Sequence, residues 1–379
     1  MKISTQLLQE KCKKILDAIG NKKGIVVDKV ELKVDSGMLY LSITDKEYYL
    51  TVPVAEMSQD FQDDGFRAVV EADKFLKLIS KLTTETVTLK VTDGILHVKG
   101  NGNYKLPVIA DNRTGQIVDL PRISINNVTS SFQIKNSILQ SMLKYNAKLL
   151  GTGGVERFPF VFMDEKGAVT YVNNACINAF TLEQPVALYL SEKLVKLFKL
   201  FKSEAVDFTL GFDELPNGIL QQKVCFSDGD ATLYAILTTD NQVMDSFPAS
   251  SLRGISEKVQ PHTAIISKAE LVGALDRIAL FRASVDSKIA YAIRMGFKED
   301  GVTIEDYNQN NSEFIGYSQN CETLAGTEGY SAVFNVDDVY LILANCDDEY
   351  LTISFGSGAL YLTKANVINI IPEYRRRGN

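Results

Sequence analysis

Tryptophan is absent from the chain, and histidine occurs only twice, at His97 and His262. That leaves little material for a histidine-built metal centre or proton relay, and neither residue stands at ligand spacing from a cysteine or an acidic motif. The five cysteines, Cys12, Cys176, Cys225, Cys321 and Cys346, are odd in number, widely spaced and without a C-x-x-C pair, so they read as reduced, buried apolar residues. Long apolar runs are missing too: nothing approaches the roughly 20 residues of a membrane helix. The N-terminus opens on a polar amphipathic segment instead of a signal peptide, and the expectation is a cytoplasmic protein with no membrane partner. No G-x-S-x-G elbow or Walker loop occurs. Gly151-Thr152-Gly153-Gly154 imitates a phosphate cradle, but no Lys-Ser/Thr follows, and it reads as a flexible loop.

A surplus of positive charge is also lacking, since the net charge is -7. Proteins that bind nucleic acid freely are usually basic, because neutralising phosphates supplies most of the affinity. A DNA partner would therefore require the basic residues to be gathered on one face.

What is present is a globular composition, 45% hydrophobic and 23% charged over 379 residues, long enough for two or three domains. An internal repeat decides between them. Amphipathic stretches open at Thr5 (TQLLQEKCKKILDAI), Asn136 (NSILQSMLKYNAKLL) and Lys268 (KAELVGALDRIAL), spaced 131 and then 132 residues apart. Each follows a short extended run, and the first places Leu8, Cys12, Ile15 and Ile19 at helical intervals. A second helix recurs as ADKFLKLISKL from Ala72, SEKLVKLFKLF from Ser191 and VDDVYLILANC from Val336; Asp73 and Asp337 lie 264 residues apart, against 263 for the first helices. After it, each unit continues as a three-strand meander. Its turns, such as Thr92-Asp93-Gly94, Ser227-Asp228-Gly229-Asp230 and Gly356-Ser357-Gly358, supply the positive φ of tight hairpins. The fold class is α+β, three repeats of two helices on antiparallel sheet. Domain boundaries are expected at residues 1–122, 123–256 and 257–379, with proline-marked linkers near Asp111 to Ser124 and Phe247 to Pro261.

This order of elements, together with KISTQLLQEKCKKILDAI, EADKFLKLISKL, FNVDDVYLILANCDDEYLTISFG and the terminal Ile370-Ile371-Pro372, resembles the beta-subunit sliding clamp of bacterial DNA polymerase III over the whole chain. The resemblance implies a head-to-tail homodimeric ring around duplex DNA, with helices lining the hole, no catalysis and no cofactor. Polymerase and clamp loader would dock through short peptides. Geometry favours two chains: helices about 10 Å apart, two per domain, give a bore near 20 Å for three domains and approaching 40 Å for six.

The basic residues expected to face DNA are Lys74, Lys77 and Lys81, Lys193, Lys196 and Lys199, and on the first helices Lys11, Lys14, Lys144, Lys148 and Arg277. The resemblance adds Lys22 and Lys23, in the loop matching the family's DNA-touching loop. The second helix of the third repeat carries Asp337 and Asp338 and no lysine, so that arc should attract DNA least. For ring closure the resemblance implies Tyr104 and Leu106 against Leu280 and Phe281, with Glu313 as the acidic neighbour. For the partner cleft it implies Val172, Asn173, Asn174, Ala175, Cys176, Pro248, Leu252, Arg253, Asn335, Ile370, Ile371 and Pro372. Here Val-Asn-Asn-Ala-Cys stands where the family commonly has a Thr-Asp-Gly-His-Arg-type segment, and Arg375 to Asn379 run past the family's usual end. Both point to a divergent clamp, with chromosomal, viral and plasmid origins left open. Two other readings stay open: a metal-dependent nuclease using carboxylates such as Asp228 and Asp230, or Glu305 and Asp306, and a repeat adaptor that binds proteins but not DNA.

Overall fold

The computed structural model describes residues 1–19, 28–57, 65–150, 158–215, 218–237, 241–281, 292–306, 310–344 and 346–374. Among the described residues, the three repeats each contribute eight strands. The first runs β1 (Lys2–Ser4), α1 (Thr5–Ile19), β2 (Lys29–Asp35), β3 (Met38–Thr44), β4 (Tyr48–Glu56), β5 (Arg67–Glu71), α2 (Ala72–Ser80), β6 (Thr86–Thr92), β7 (Ile95–Lys99) and β8 (Asn103–Pro107). The second begins with β9 (Asn127–Lys135) and α3 (Asn136–Ser141), which passes through a π-helical stretch (Met142–Asn146) into α4 (Ala147–Leu149). It continues as β10 (Phe160–Asp164), β11 (Gly167–Tyr171), β12 (Ala175–Ala179), β13 (Ala187–Ser191), α5 (Glu192–Leu197), β14 (Ala205–Glu214), β15 (Leu220–Ser227) and β16 (Thr232–Ile236). Two short helices follow, α6 (Asn241–Asp245) and then α7 (Ala249–Ser256), the latter within the stretch from Phe247 to Pro261 where the sequence suggested a linker. The third comprises β17 (His262–Ser267), α8 (Lys268–Ala279), β18 (Ala292–Phe297), β19 (Gly301–Asp306), β20 (Ser312–Gly316), β21 (Tyr330–Asn335), α9 (Val336–Leu343), β22 (Tyr350–Phe355), β23 (Ala359–Lys364) and β24 (Val367–Pro372).

Local chemistry explains these elements. Asn335 caps α9 by accepting from the backbone N–H groups of Asp337 (2.9 Å) and Asp338 (3.4 Å), and Ser267 caps α8 from Glu270. At the β6–β7 turn, Asp93 and Gly94 take φ of 52° and 70°, the left-handed pair that a two-residue hairpin needs. Leu8, Cys12 and Ile15 of α1, and Phe75, Leu76 and Ile79 of α2, are buried on one face.

The strands of one repeat do not make one sheet. Each repeat splits into two groups of four, and groups from successive repeats join. The sheet β5-β2-β3-β4-β16-β15-β14-β9 unites the first and second repeats, and β13-β10-β11-β12-β24-β23-β22-β17 unites the second and third. The joints are antiparallel, Leu233 opposite Leu50 and Cys176 opposite Asn369. Two four-stranded sheets remain, β1-β6-β7-β8 and β20-β19-β18-β21. For this reason the chain forms two compact units that cut across the second repeat: Met1–Leu139 with Lys196–Thr238, and Gln140–Val195 with Thr239–Asn379.

Candidate functional site

On α2, Lys74, Lys77 and Lys81 are exposed opposite the buried Phe75 and Ile79. Lys74 pairs with Glu71 (2.6 Å), which holds its ammonium above the ordinary lysine pKa, and Lys77 pairs with Asp73 (2.8 Å). Such exposed pairs are weak and leave the lysines free to exchange partners. Lys148, Lys196 and Lys199 are exposed, and Lys193 is half-buried. Arg277 is exposed and makes a two-pronged contact with Glu313, whose carboxyl it holds below the usual glutamate range. Lys144, half-buried, is paired with Asp347.

Lys11 corrects the expectation. It is 7% exposed, because α1 packs against the β15–β16 turn of the second repeat, and its Nζ lies 2.8 Å from Asp230. Lys14, half-buried, reaches the other oxygen of the same carboxylate at 2.9 Å. Hydrogen bonds from Lys11 and then Lys14 pull Asp230 down to about 2. Lys22, Lys23 and the Gly151–Gly154 loop lie outside the described residues.

Around the β12–β24 joint, strand alternation separates the expected cleft residues onto two faces. Ala175 and Ile370 lie on one face, in an apolar cluster with Phe158, Phe160, Phe162, Ile177, Tyr361 and, from α7, Leu252. Phe247 packs into it, its ring centroid 5.1 Å from Phe158 and 5.2 Å from Phe160. Arg253 clamps Asp164 with both guanidinium arms (2.5 and 2.7 Å) and lies 5.9 Å above the Phe162 ring. Pro248 begins α7, and Pro372 is exposed at the end of β24.

Cys176 and Ile371 point to the other face and belong to the main core, which removes them from an open cleft. Burial pushes the Cys176 thiol well up. Asn174 is fully buried and donates to the Asp338 carbonyl (3.3 Å) while its Oδ1 has no hydrogen-bond partner among the described residues. It fastens the β11–β12 turn to α9, and Asn335 is committed to capping that helix. Val172 packs half-buried against the core, and Asn173 is exposed.

Of the residues expected at a subunit contact, Leu280 is 80% exposed, Phe281 54% and Tyr104 37%. Leu106 is buried to 9% within its own chain and lines a cavity of about 530 Å³ with Asp28, Glu71, Lys74 and Pro107. β8 and β20 are the outer strands of the two four-stranded sheets, and Phe314 on β20 is 52% exposed.

The carboxylates that suggested nuclease chemistry are engaged elsewhere, Asp230 by Lys11 and Lys14 and the others locally. Asp228 accepts from the backbone N–H groups of Asp230, Ala231 and Lys202, and Asp306 from the backbone N–H of Asn310 and the side-chain amide of Asn311. Glu305 lies 4.0 Å from Arg294. Among the described residues no three His, Cys, Asp or Glu side chains gather as metal ligands.

No family model matches the sequence, and no curated protein does. Solved structures match along the entire chain. The DNA polymerase sliding clamp of Pseudomonas aeruginosa is 16% identical, with 99% of each chain covered and a TM-score of 0.76. That of Bacillus subtilis is 15% identical, covering 99% of this chain and 98% of its own, with a TM-score of 0.74. A Pseudomonas aeruginosa sliding clamp bound to griselimycin is 14% identical over 99% of each chain, with a TM-score of 0.75. The chain has the sliding-clamp fold.

In this clamp fold the aromatic face is the feature that sequence reasoning missed. Phe158, Phe160, Phe162, Tyr171, Tyr189 and Phe247 come from three strands and two connecting segments, so helical periodicity carries no trace of them. A usable signal exists inside the repeat. Aligning the hairpin pairs Asp35–Met38 and Asp164–Gly167 sets Phe160 and Phe162 against Glu31 and Lys33 of the first repeat. The same fold position tolerates charge, so the rings are not a requirement of the fold.

Proposed function

We propose that the chain is a sliding clamp for a DNA polymerase of the polymerase III type. Two copies close head to tail into a ring around duplex DNA, contact it without reading sequence, and tether polymerase and clamp loader through short peptides. It catalyses nothing and works in the cytoplasm. One observation carries the reading, the whole-chain match of fold to sliding clamps.

The pattern of joints supports the closure. The first two repeats join through β4 and β16 and the next two through β12 and β24. The strands in the same places of the repeat that remain are β20 and β8, both edges without a pairing strand among the described residues. An unpaired edge is a template for another strand. Joining β20 of one copy to β8 of the next continues the rule and closes the assembly with no edge left over at any joint. The three domains of the proposed ring follow the repeats, 1–122, 123–256 and 257–379.

The surfaces support the remaining roles. Lys74, Lys77, Lys81, Lys148 and Lys199 offer exposed positive charge to phosphate. The apolar cluster at the β12–β24 joint, edged by Arg253 and Pro372, supplies a peptide cleft of the kind that ligand sites use. The test is topological. Protein loaded on closed circular DNA should survive a high-salt wash and be released when the circle is cut; equal loss from circular and linear DNA overturns the reading.

A further inference from the structure

On two first helices, basic residues meet a carboxylate from the following repeat. Asp230, in the β15–β16 turn, takes both Lys11 (2.8 Å) and Lys14 (2.9 Å) of α1. Asp347, after α9, takes Lys144 from the π-helical stretch, and the charge of Lys148 bears on the same carboxylate. The carboxylate of Asp230 is not needed for its own turn, which Asp228 already holds through the N–H groups of Asp230 and Ala231. The two contacts differ in depth: the Lys11 and Lys14 side chains are 9% and 12% exposed, the Lys144 side chain 36%.

We propose that Asp230 and Asp347 set how many lysines the clamp offers to DNA, each withholding first-helix basic side chains from phosphate. The inference rests on the clamp reading for the identity of the polyanion. Every lysine that neutralises a phosphate releases condensed counterions and steepens the dependence of affinity on salt. A clamp must attract DNA without gripping it, and carboxylates fixed beside the lysines subtract grip while keeping the helix faces basic.

The experiment is equilibrium binding to a short linear duplex between about 50 and 200 mM salt. Releasing Lys144 with Asp347→Asn should steepen the log–log slope by about 0.9, an extra affinity loss of about 3-fold over that range. Asp230→Asn should do the same through Lys14. Because it strands the buried Lys11, the double variant Lys11→Met with Asp230→Asn provides the same release without that strain. Glu328→Gln, at an exposed carboxylate that takes part in neither contact, makes the same change in net charge as each single variant and should leave the slope alone. Folded Asp347 and Asp230 variants with the parental slope overturn the inference, as does an equal steepening by Glu328→Gln. Binding by none of the proteins at the lowest salt also overturns it. Failure of the parent to stay on closed circles is a separate result, which removes the clamp reading while leaving the slope comparison to stand or fall by itself.

Discussion

Replacing Leu280 and Phe281 by aspartate should take the proposed ring apart. Complete burial of a leucine or phenylalanine is worth about 1.5–3 kcal/mol. In the single chain Leu280 is 80% and Phe281 54% exposed, so most of the leucine and half of the phenylalanine remain to be covered by a partner. Together they supply about 3 kcal/mol at one contact, close to a hundredfold in affinity. A two-chain ring breaks two such contacts on dissociating, so the double aspartate variant should weaken dimerisation by about ten-thousandfold before any cost of burying the new carboxylates. Phe281→Asp alone should open the ring at micromolar concentration. Sedimentation velocity decides the matter, because one chain weighs 42.0 kDa and the closed ring twice that. Val259→Asp is the control: Val259 is 93% exposed but lies outside the proposed contact, and its substitution should leave the mass unchanged. If the Leu280 and Phe281 variants keep the parental mass at every concentration, these residues do not close the ring.

Three further outcomes are expected. Asp230 is lowered from 3.8 to about 2, so its contribution to stability is full above its unfolded value and disappears as pH falls toward 2; Asp230→Asn should therefore flatten the parental drop in melting temperature between about pH 4 and 2. Asp164→Asn should cost about 3 kcal/mol, because it leaves the Arg253 guanidinium largely buried without its counter-charge, and faster amide exchange confined first to α7 would show it; Arg253→Lys should not rescue the contact, since an ammonium cannot reproduce the two-armed geometry. Gly167→Ala should destabilise by about 2 kcal/mol or more, for Gly167 has φ of 140° and an added Cβ would fall 2.3 Å from the Asn178 carbonyl oxygen; a thermal melt at parental level would refute that clash.

Much of the architecture was legible because it is local. The helix periodicities of Leu8, Cys12 and Ile15, or Phe75 and Ile79, and turn chemistry such as Asp93-Gly94, are each written within a dozen residues. The threefold spacing then multiplied the signal. What stayed illegible depends on residues far apart in the chain. A helical wheel shows that Lys11 borders the apolar stripe of α1, but not that a turn two hundred residues later closes over it. Strand parity put Cys176 beside Ala175 without revealing that one faces the core and the other the aromatic cluster, because the β12–β24 register sets the faces. The stretch from Phe247 to Pro261 read as linker because its helix is short, and α7 is held by Leu252, Arg253 and the Tyr361 hydroxyl on the Ile255 carbonyl instead of by its own periodicity.

Sheets that cross from one repeat into the next have a consequence for how such a chain can change over time. A repeat cut out at its own ends would carry away β16 without β4, or β12 without β24, leaving raw hydrogen-bonding edges ready to stick to whatever strand came near. Duplication could build this molecule, but shuffling cannot readily take it apart. Substitutions at the joints must keep step across positions nearly two hundred residues distant, so the copies are free to diverge in their outward chemistry while remaining bound to one another in their edges.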